Sequence, residues 1–189
     1  MGHGPARVRG LKCHCGRPAI IRHPSSGTAL CPKHFLRLVE RKLWNSFKEL
    51  KLRSDIREYT IDTSLGAVEA RMLAEALRRR GIKVELVEGG EIRAFSIDKV
   101  LYFLLKAFYE NDEEALAMAD PYRSKNPAYV LLPYEVAVYA KLRGLEPPPE
   151  PFEGALWRVA LEVSLRQPSE AYSALKVIPK LRELFPISR

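Results

Sequence analysis

The sequence predicts an α/β fold: a small N-terminal cysteine–histidine finger and a long helix, joined to a truncated Rossmann-like parallel sheet with C-terminal helices. Three observations predict it. All three cysteines fall between positions 13 and 31, beside histidines. A strand–helix–strand pattern runs from Glu58 to Val87. Most of the remaining chain carries apolar residues at helical spacing.

In chain order, residues 1–10 read as a flexible basic arm. Residues 11–52 form the finger and a basic amphipathic helix. Within them, Cys13-His14-Cys15-Gly16-Arg17-Pro18 is a knuckle, and Ala19–Ile21 and Thr28–Leu30 are the strands of a hairpin turning at Ser25-Ser26-Gly27. Pro32 suits the first turn of a helix, where its missing N–H costs nothing. From Pro32 to about Leu52, Phe35, Leu36, Leu38, Val39, Leu43, Phe47 and Leu50 share one face. A break follows near Ser54-Asp55. Residues 56–145 are expected to form the Rossmann-like domain. Glu58–Ile61 is a strand, Gly66–Arg80 a helix ended by Gly81, and Ile82–Val87 a strand, which together make a βαβ unit with parallel strands. Ile92–Phe95 is expected as a third strand. Ser96 should cap an apolar helix through Tyr109, followed by a short helix over Glu113–Ala119, a buried strand at Tyr129–Leu132 and a helix from Pro133 to Arg143 that stops at Gly144. The proline-rich stretch Glu146–Pro151 is a stiff linker. Residues 152–189 are a helical segment of two helices, Glu153–Arg166 and Ser169–Leu184, separated by Pro168, with Pro179 bending the second.

The pattern C-x-C, fifteen residues, then C-x2-H marks Cys13, Cys15, Cys31 and His34 as ligands of one structural zinc ion. Zinc takes thiolate and imidazole tetrahedrally, and two close pairs joined by a hairpin can close around it. Such a site supplies folding energy that some twenty residues cannot obtain from burial alone. Four protein ligands leave no open position, so the metal is structural. His14 or His23 could stand in for one of the four. The alternative is three reduced cysteines with ordinary packing roles; an odd number excludes a complete disulfide framework.

The net charge of +8 is unevenly placed. Residues 1–60 hold thirteen Lys or Arg against four Asp or Glu, whereas the other 129 residues hold 18 against 19. A localised positive field is the footprint of a polyanion partner, RNA or DNA; the plainer alternative is a solvated basic face. The candidate contacts are Arg17 and Arg22 in the finger, and Lys33, Arg37, Arg41, Lys48 and Lys51 on the polar face of the long helix. Trp44 lies among these cations, placed either to stack on a base or to pack against a neighbouring element. No run of residues is long and apolar enough for a membrane span, and the start lacks the apolar stretch of a signal peptide. A cytoplasmic protein with no membrane partner is expected. One Gln, three Asn and an abundance of Arg, Glu, Leu and Pro suit a thermophilic source.

Three stretches, Cys15-Gly16-Arg17-Pro18-Ala19, Leu30-Cys31-Pro32-Lys33-His34-Phe35 and Glu40-Arg41-Lys42, resemble the N-terminal zinc finger of the tRNA 2-thiolation enzymes of the PP-loop ATPase superfamily. Ser96-Ile97-Asp98 looks like a degraded remnant of that family's Gly-His-Asn-x-Asp-Asp segment, and Leu132–Ala140 is similar to its segment with Pro, Glu-Val and Tyr-Ala. The resemblance implies a PP-loop-type domain behind the finger. The departures are equally specific. Where the family's phosphate loop reads Ser-Gly-Gly-x-Asp-Ser, this chain has Asp62-Thr63-Ser64-Leu65-Gly66-Ala67. Both central glycines are replaced, and a carboxylate stands where phosphate would sit. The family's catalytic and cluster-binding cysteines have no counterpart, because no cysteine follows Cys31. All four histidines lie in the first 34 residues, leaving none in the α/β body for general-base work.

The expected function is therefore that of a pseudoenzyme: a degenerate, truncated relative of the tRNA thiolation enzymes that binds tRNA or a protein partner, such as an active thiolation paralogue, without binding ATP. One alternative is a zinc protein of the ribosome or another ribonucleoprotein, contacting ribosomal RNA. Another is an ATP-dependent tRNA-modifying enzyme with a rebuilt nucleotide site, for which Asp62, Ser64, Glu69 and Asp98 are the polar groups at the strand ends.

Overall fold

The computed structural model describes residues 10–23, 26–52, 58–146, 151–178 and 180. Most of the arm, Ser25 of the hairpin turn, the break at Ser54-Asp55, the prolines at 147–149, Pro179 and the chain beyond position 180 lie outside the described residues. The head contains β1 (Ile21–Arg22) and β2 (Ala29–Leu30), paired antiparallel, followed by α1 (Pro32–Glu49). The α/β body begins with β3 (Glu58–Asp62), α2 (Ala67–Arg78) and β4 (Lys83–Val87). β3 and β4 pair parallel, from Glu58 opposite Lys83 to Asp62 opposite Val87, so the βαβ unit forms as the pattern predicts. Helices α3 (Ile97–Glu110), α4 (Glu113–Ala119), α5 (Pro133–Arg143), α6 (Ala155–Arg166) and α7 (Pro168–Leu175) complete the described chain. None is long and apolar enough to cross a membrane.

Two expected strands are replaced by other structure, and one side chain accounts for both. Ile92 makes only a single parallel bridge to Ile61 on the free edge of β3. The chain then leaves the sheet because the amide of Asn126 takes the place of a strand partner. Its Oδ1 accepts from the Phe95 N–H at 3.1 Å, and its Nδ2 donates to the Phe95 carbonyl at 2.8 Å. The same Oδ1 accepts from the Ala128 N–H and caps a 3-10 turn, Pro127–Val130, where the apolar run at 129–132 suggested a strand. A short apolar run next to a proline is equally compatible with a buried turn, and the local cap decides between them. Ser96 precedes α3 as expected, but its hydroxyl donates to the buried Glu69 carboxylate at 2.8 Å and makes no cap hydrogen bond.

The packing also divides differently from a boundary at residues 52–56. One core joins the hairpin and α1 to β3, α2 and α5, through Ile21, Phe35, Leu43, Phe47, Ile61, Leu73 and Tyr139 among others. A second core gathers α3, α4, α6 and α7 around Phe95, Ile97, Leu104, Ala160 and Ala171. Head and body thus share one hydrophobic core.

A buried carboxylate pins that unit. Glu135 in the first turn of α5 is fully buried. Its Oε2 accepts from Lys42 Nζ of α1 at 2.7 Å and from the Leu132 N–H at 2.9 Å, while Oε1 lies 3.6 Å from His23 Nε2 in the hairpin. Burial alone would raise its pKa, but the His23 contact, the Lys42 ammonium and the Leu132 N–H together hold it below the ordinary value. Removing one partner of a buried pair leaves an uncompensated charge, which costs on the order of 3 kcal/mol. Lys42→Met is therefore expected to lower the urea midpoint by about that much free energy; a loss below about 1 kcal/mol, the ceiling for an exposed ion pair, would show that Glu135 does not hold head to body.

Candidate functional site

The head brings its four predicted ligands together. The knuckle closes by Cys13 N–H to the Arg17 carbonyl at 2.9 Å and Gly16 N–H to the Cys13 carbonyl at 2.8 Å. Gly16 sits at φ +79°, a left-handed conformation that glycine adopts without strain. This turn directs Cys13 and Cys15 to one side. The second pair comes from the start of α1: Cys31 is its N-cap residue and His34 its third helical residue, so the two side chains share a face. Pro32 occupies the first helical position, as anticipated.

One donor atom from each of Cys13, Cys15, Cys31 and His34 lies within 4.8 Å of every other. Cys15 Sγ and Cys31 Sγ are 3.7 Å apart, and His34 Nδ1 is 3.2 Å from Cys13 Sγ and 3.3 Å from Cys31 Sγ. A tetrahedral ion with metal–sulfur bonds of about 2.3 Å sets sulfur atoms about 3.8 Å apart, with sulfur–nitrogen edges slightly shorter. The donor set and its spacing fit one tetrahedral ion. Burial pushes the Cys13 thiol up, but hydrogen bonds from the Cys15 and Cys31 backbone, then from the Cys15 and His34 side chains, bring it down to about 6. His14 stands beside the cluster, with Nδ1 3.6 Å from Cys13 Sγ and its ring centroid 4.2 Å from that of His34. His23 is engaged with Glu135 instead.

Of the cations expected to meet RNA, Arg17, Arg22, Lys33, Arg37, Arg41, Lys48 and Lys51 are all exposed. Arg22 is tied to its own hairpin through Nε and the Gly27 carbonyl at 3.0 Å. Lys33, Arg37 and Arg41 have no ion-pair partner among the described residues. Trp44 takes the packed alternative. Its ring is stacked on Phe47, with centroids 5.7 Å apart and planes within 9°, and the Arg80 guanidinium lies over it at 4.4 Å. Arg80 is held in turn by Glu40 at 3.1 Å. This arginine was missed in sequence, although the run Arg78-Arg79-Arg80 at the end of a helix was its signal.

Residues 12–36, the knuckle through the first turn of α1, match the family described as the N-terminal LIM domain of the 2-thiouridine synthetase TtuA. Among solved structures, the U34-tRNA thiolase NcsA from Methanococcus maripaludis, determined with its [4Fe-4S] cluster, aligns with a TM-score of 0.62 at 15% identity. The alignment covers 92% of this chain and 89% of that one. The sequence likeness to the tRNA 2-thiolation enzymes thus lies in the head, over residues 12–36. At 15% identity the likeness to the thiolase speaks for the fold alone, and the head supplies the sequence kinship. No curated protein matches the chain in sequence.

The turn after β3, Asp62 to Ala67, is filled from within. The Asp62 carboxylate folds back at the end of the strand. Oδ1 accepts from the Ser64 N–H at 2.9 Å and the Gly89 N–H at 3.1 Å, and Oδ2 from the Ser64 hydroxyl at 2.9 Å. Arg93 Nη1 stands 3.4 Å from Oδ2. The Ser64 and Gly89 amides thus face a resident anion. The loop is also closely packed: a Cβ on Gly66 would meet the Ala94 carbonyl oxygen at 2.1 Å. Beneath it, Lys99 Nζ donates to the Leu65 carbonyl at 2.6 Å and to Glu69 at 2.7 Å. Asp98, buried nearby, is pushed up to about 6 by desolvation.

Burial raises the Asp62 carboxyl, yet the Ser64 backbone and hydroxyl, the Gly89 amide and Arg93 together hold it below the ordinary value. A carboxylate whose pKa is depressed on folding adds stability above its unfolded pKa, about 3.9, and that contribution is lost as pH falls through the folded value. Asp62→Asn should thus cost about 2 kcal/mol at pH 7. In urea titrations from pH 7 to pH 2 the gap between wild type and variant narrows only on the acid side. A gap independent of pH would show that the charge is not what the loop holds.

Proposed function

We propose that this chain is a non-catalytic, zinc-containing RNA-binding subunit related to the tRNA 2-thiolation enzymes. It would hold tRNA, or a thiolation partner carrying it, without activating it. One contrast carries this reading. Asp62 occupies the Ser64 and Gly89 amides of the turn after β3, whereas Lys33, Arg37 and Arg41 beside the metal centre are exposed without ion-pair partners among the described residues. Exposed cations along one helix face grip phosphates without reading bases.

Zinc is favoured by the donor set and spacing. Three thiolates and one imidazole within 4.8 Å enclose one ion, while four irons bridged by sulfides would hold their protein ligands farther apart. The thiolase NcsA carries a [4Fe-4S] cluster; here no cysteine follows Cys31, so any such cluster would have to draw its thiolates from the head. Metal analysis of purified protein is expected to give one zinc per chain and no acid-labile sulfide, with Cys31→Ala losing the metal. Stoichiometric iron and sulfide with broad visible absorption would replace zinc by a cluster.

The RNA reading is tested by filter binding of tRNA across a salt series. Affinity should fall steeply with salt, and an Arg37→Ala/Arg41→Ala variant should reduce the slope of log K against log salt by about 2, one for each lost phosphate contact. Absence of binding at low salt would leave the head with a purely structural role.

A further inference from the structure

Between the hairpin and the exposed side of α1 lies a half-open recess of about 560 Å³, walled by the metal site. Thr28 stands on the hairpin side, His14 and His34 at the metal end, and Arg37, Leu38 and Arg41 along α1. The volume lies within the roughly 300–1,000 Å³ typical of small-molecule sites. Its chemistry is sorted by position. Arg37 and Arg41, one helical turn apart, present two guanidinium groups to the same opening. The imidazoles of His14 and His34, ring centroids 4.2 Å apart, and the side chain of Leu38 form a partly apolar wall. Because His34 directs Nδ1 at the sulfur atoms of Cys13 and Cys31, its other ring edge is left to face the recess. No Asp or Glu lines it. Glu135, beside His23 of the lining, is buried against Lys42.

A duplex backbone is convex and can touch only the rim of such a depression. An unpaired nucleotide carries an anionic phosphate and a flat, largely apolar base on one flexible unit, and fits both walls at once. We propose that this recess binds a single unpaired nucleotide of RNA, its phosphate between Arg37 and Arg41 and its base against His14, His34 and Leu38. The inference rests on the RNA-binding reading above and adds to it a preference for single-stranded RNA and a place for it. The metal then has a second consequence: by fixing His34 it holds one wall of the recess rigid.

The test compares a fluorescein-labelled single-stranded octaribonucleotide with a blunt duplex of the same sequence, using the full metal-loaded chain. Wild type is expected to prefer the single strand by on the order of tenfold, the scale of one base stacked on a side chain. Thr28→Trp and, separately, Leu38→Trp fill the recess without altering charge. Either is expected to erase the preference while leaving duplex affinity within about twofold. Two substitutions on opposite walls guard against one that merely misfolds, and adenosine 5′-monophosphate added to wild type should shift the ring-proton resonances of His14 and His34. Equal affinity for the two RNAs, or a preference that survives both tryptophans, overturns the recess and leaves phosphate binding by the helix standing. If neither RNA binds, the recess and the RNA-binding reading fall together.

Discussion

Four donor atoms within 4.8 Å join the knuckle to the first turn of α1. The hairpin between them has strands of two residues each, far short of what stands alone in water. The knuckle is mostly exposed; Cys13 is its buried residue. Closing the donors around an ion fixes where the knuckle sits relative to the first turn of α1. Once that is set, Phe35, Val39, Leu43 and Phe47 must face the body, and Lys33, Arg37 and Arg41 must face away from it. The direction of the basic face is therefore a consequence of the ligand geometry, because in a helix the two faces cannot be chosen independently.

Asp62 shows how the amides at the end of a strand can be satisfied without a ligand. Backbone N–H groups converging after a strand are costly when buried and unpaired. A loop that awaits a ligand tolerates this by remaining wet or mobile. Here the carboxylate supplies the missing acceptor permanently, with Ser64 and Gly89 as donors and Arg93 balancing the charge. The rest of the site follows the same logic: Glu69 is paired with Lys99 and Ser96, and Lys99 also caps the Leu65 carbonyl. Stability and the capacity to take a ligand are thus exchanged at the same atoms.

What the sequence made legible followed the range of the interaction involved. The ligands were readable because two short-range pairs of sulfur and imidazole have few other uses, and the helices because their apolar period is local. The two missed strands were decided by Asn126, whose amide bonds to Phe95 across 31 residues of sequence; no window of neighbouring residues contains that fact. Trp44 was ambiguous for the same reason, since its cationic cover, Arg80, comes from the end of α2. The recess was invisible altogether. Its lining is ordinary on each segment and becomes a site only where hairpin and helix meet at the metal. The charge bias of the first sixty residues pointed to the exposed cations of α1 without showing the concavity beside them.

The shared core has a further consequence for how metal and body depend on each other. A ligand that binds only the folded state adds its binding free energy to the stability of whatever folds with its site. Were the head a separate module, that contribution would end at residue 52. Instead Ile21, Leu30 and Phe35 belong to the same cluster as Leu73 and Tyr139. Glu135 links α5 to Lys42 and lies beside His23, and Lys42 also approaches the Tyr172 hydroxyl of α7 at 3.5 Å. An ion bound in the head would therefore add its stabilisation beyond α1, to the α/β unit that shares the head's core. A body whose turn after β3 holds its own carboxylate, behind a head whose Lys33, Arg37 and Arg41 have no ion-pair partner among the described residues, makes the metal centre the point on which the order of this chain converges.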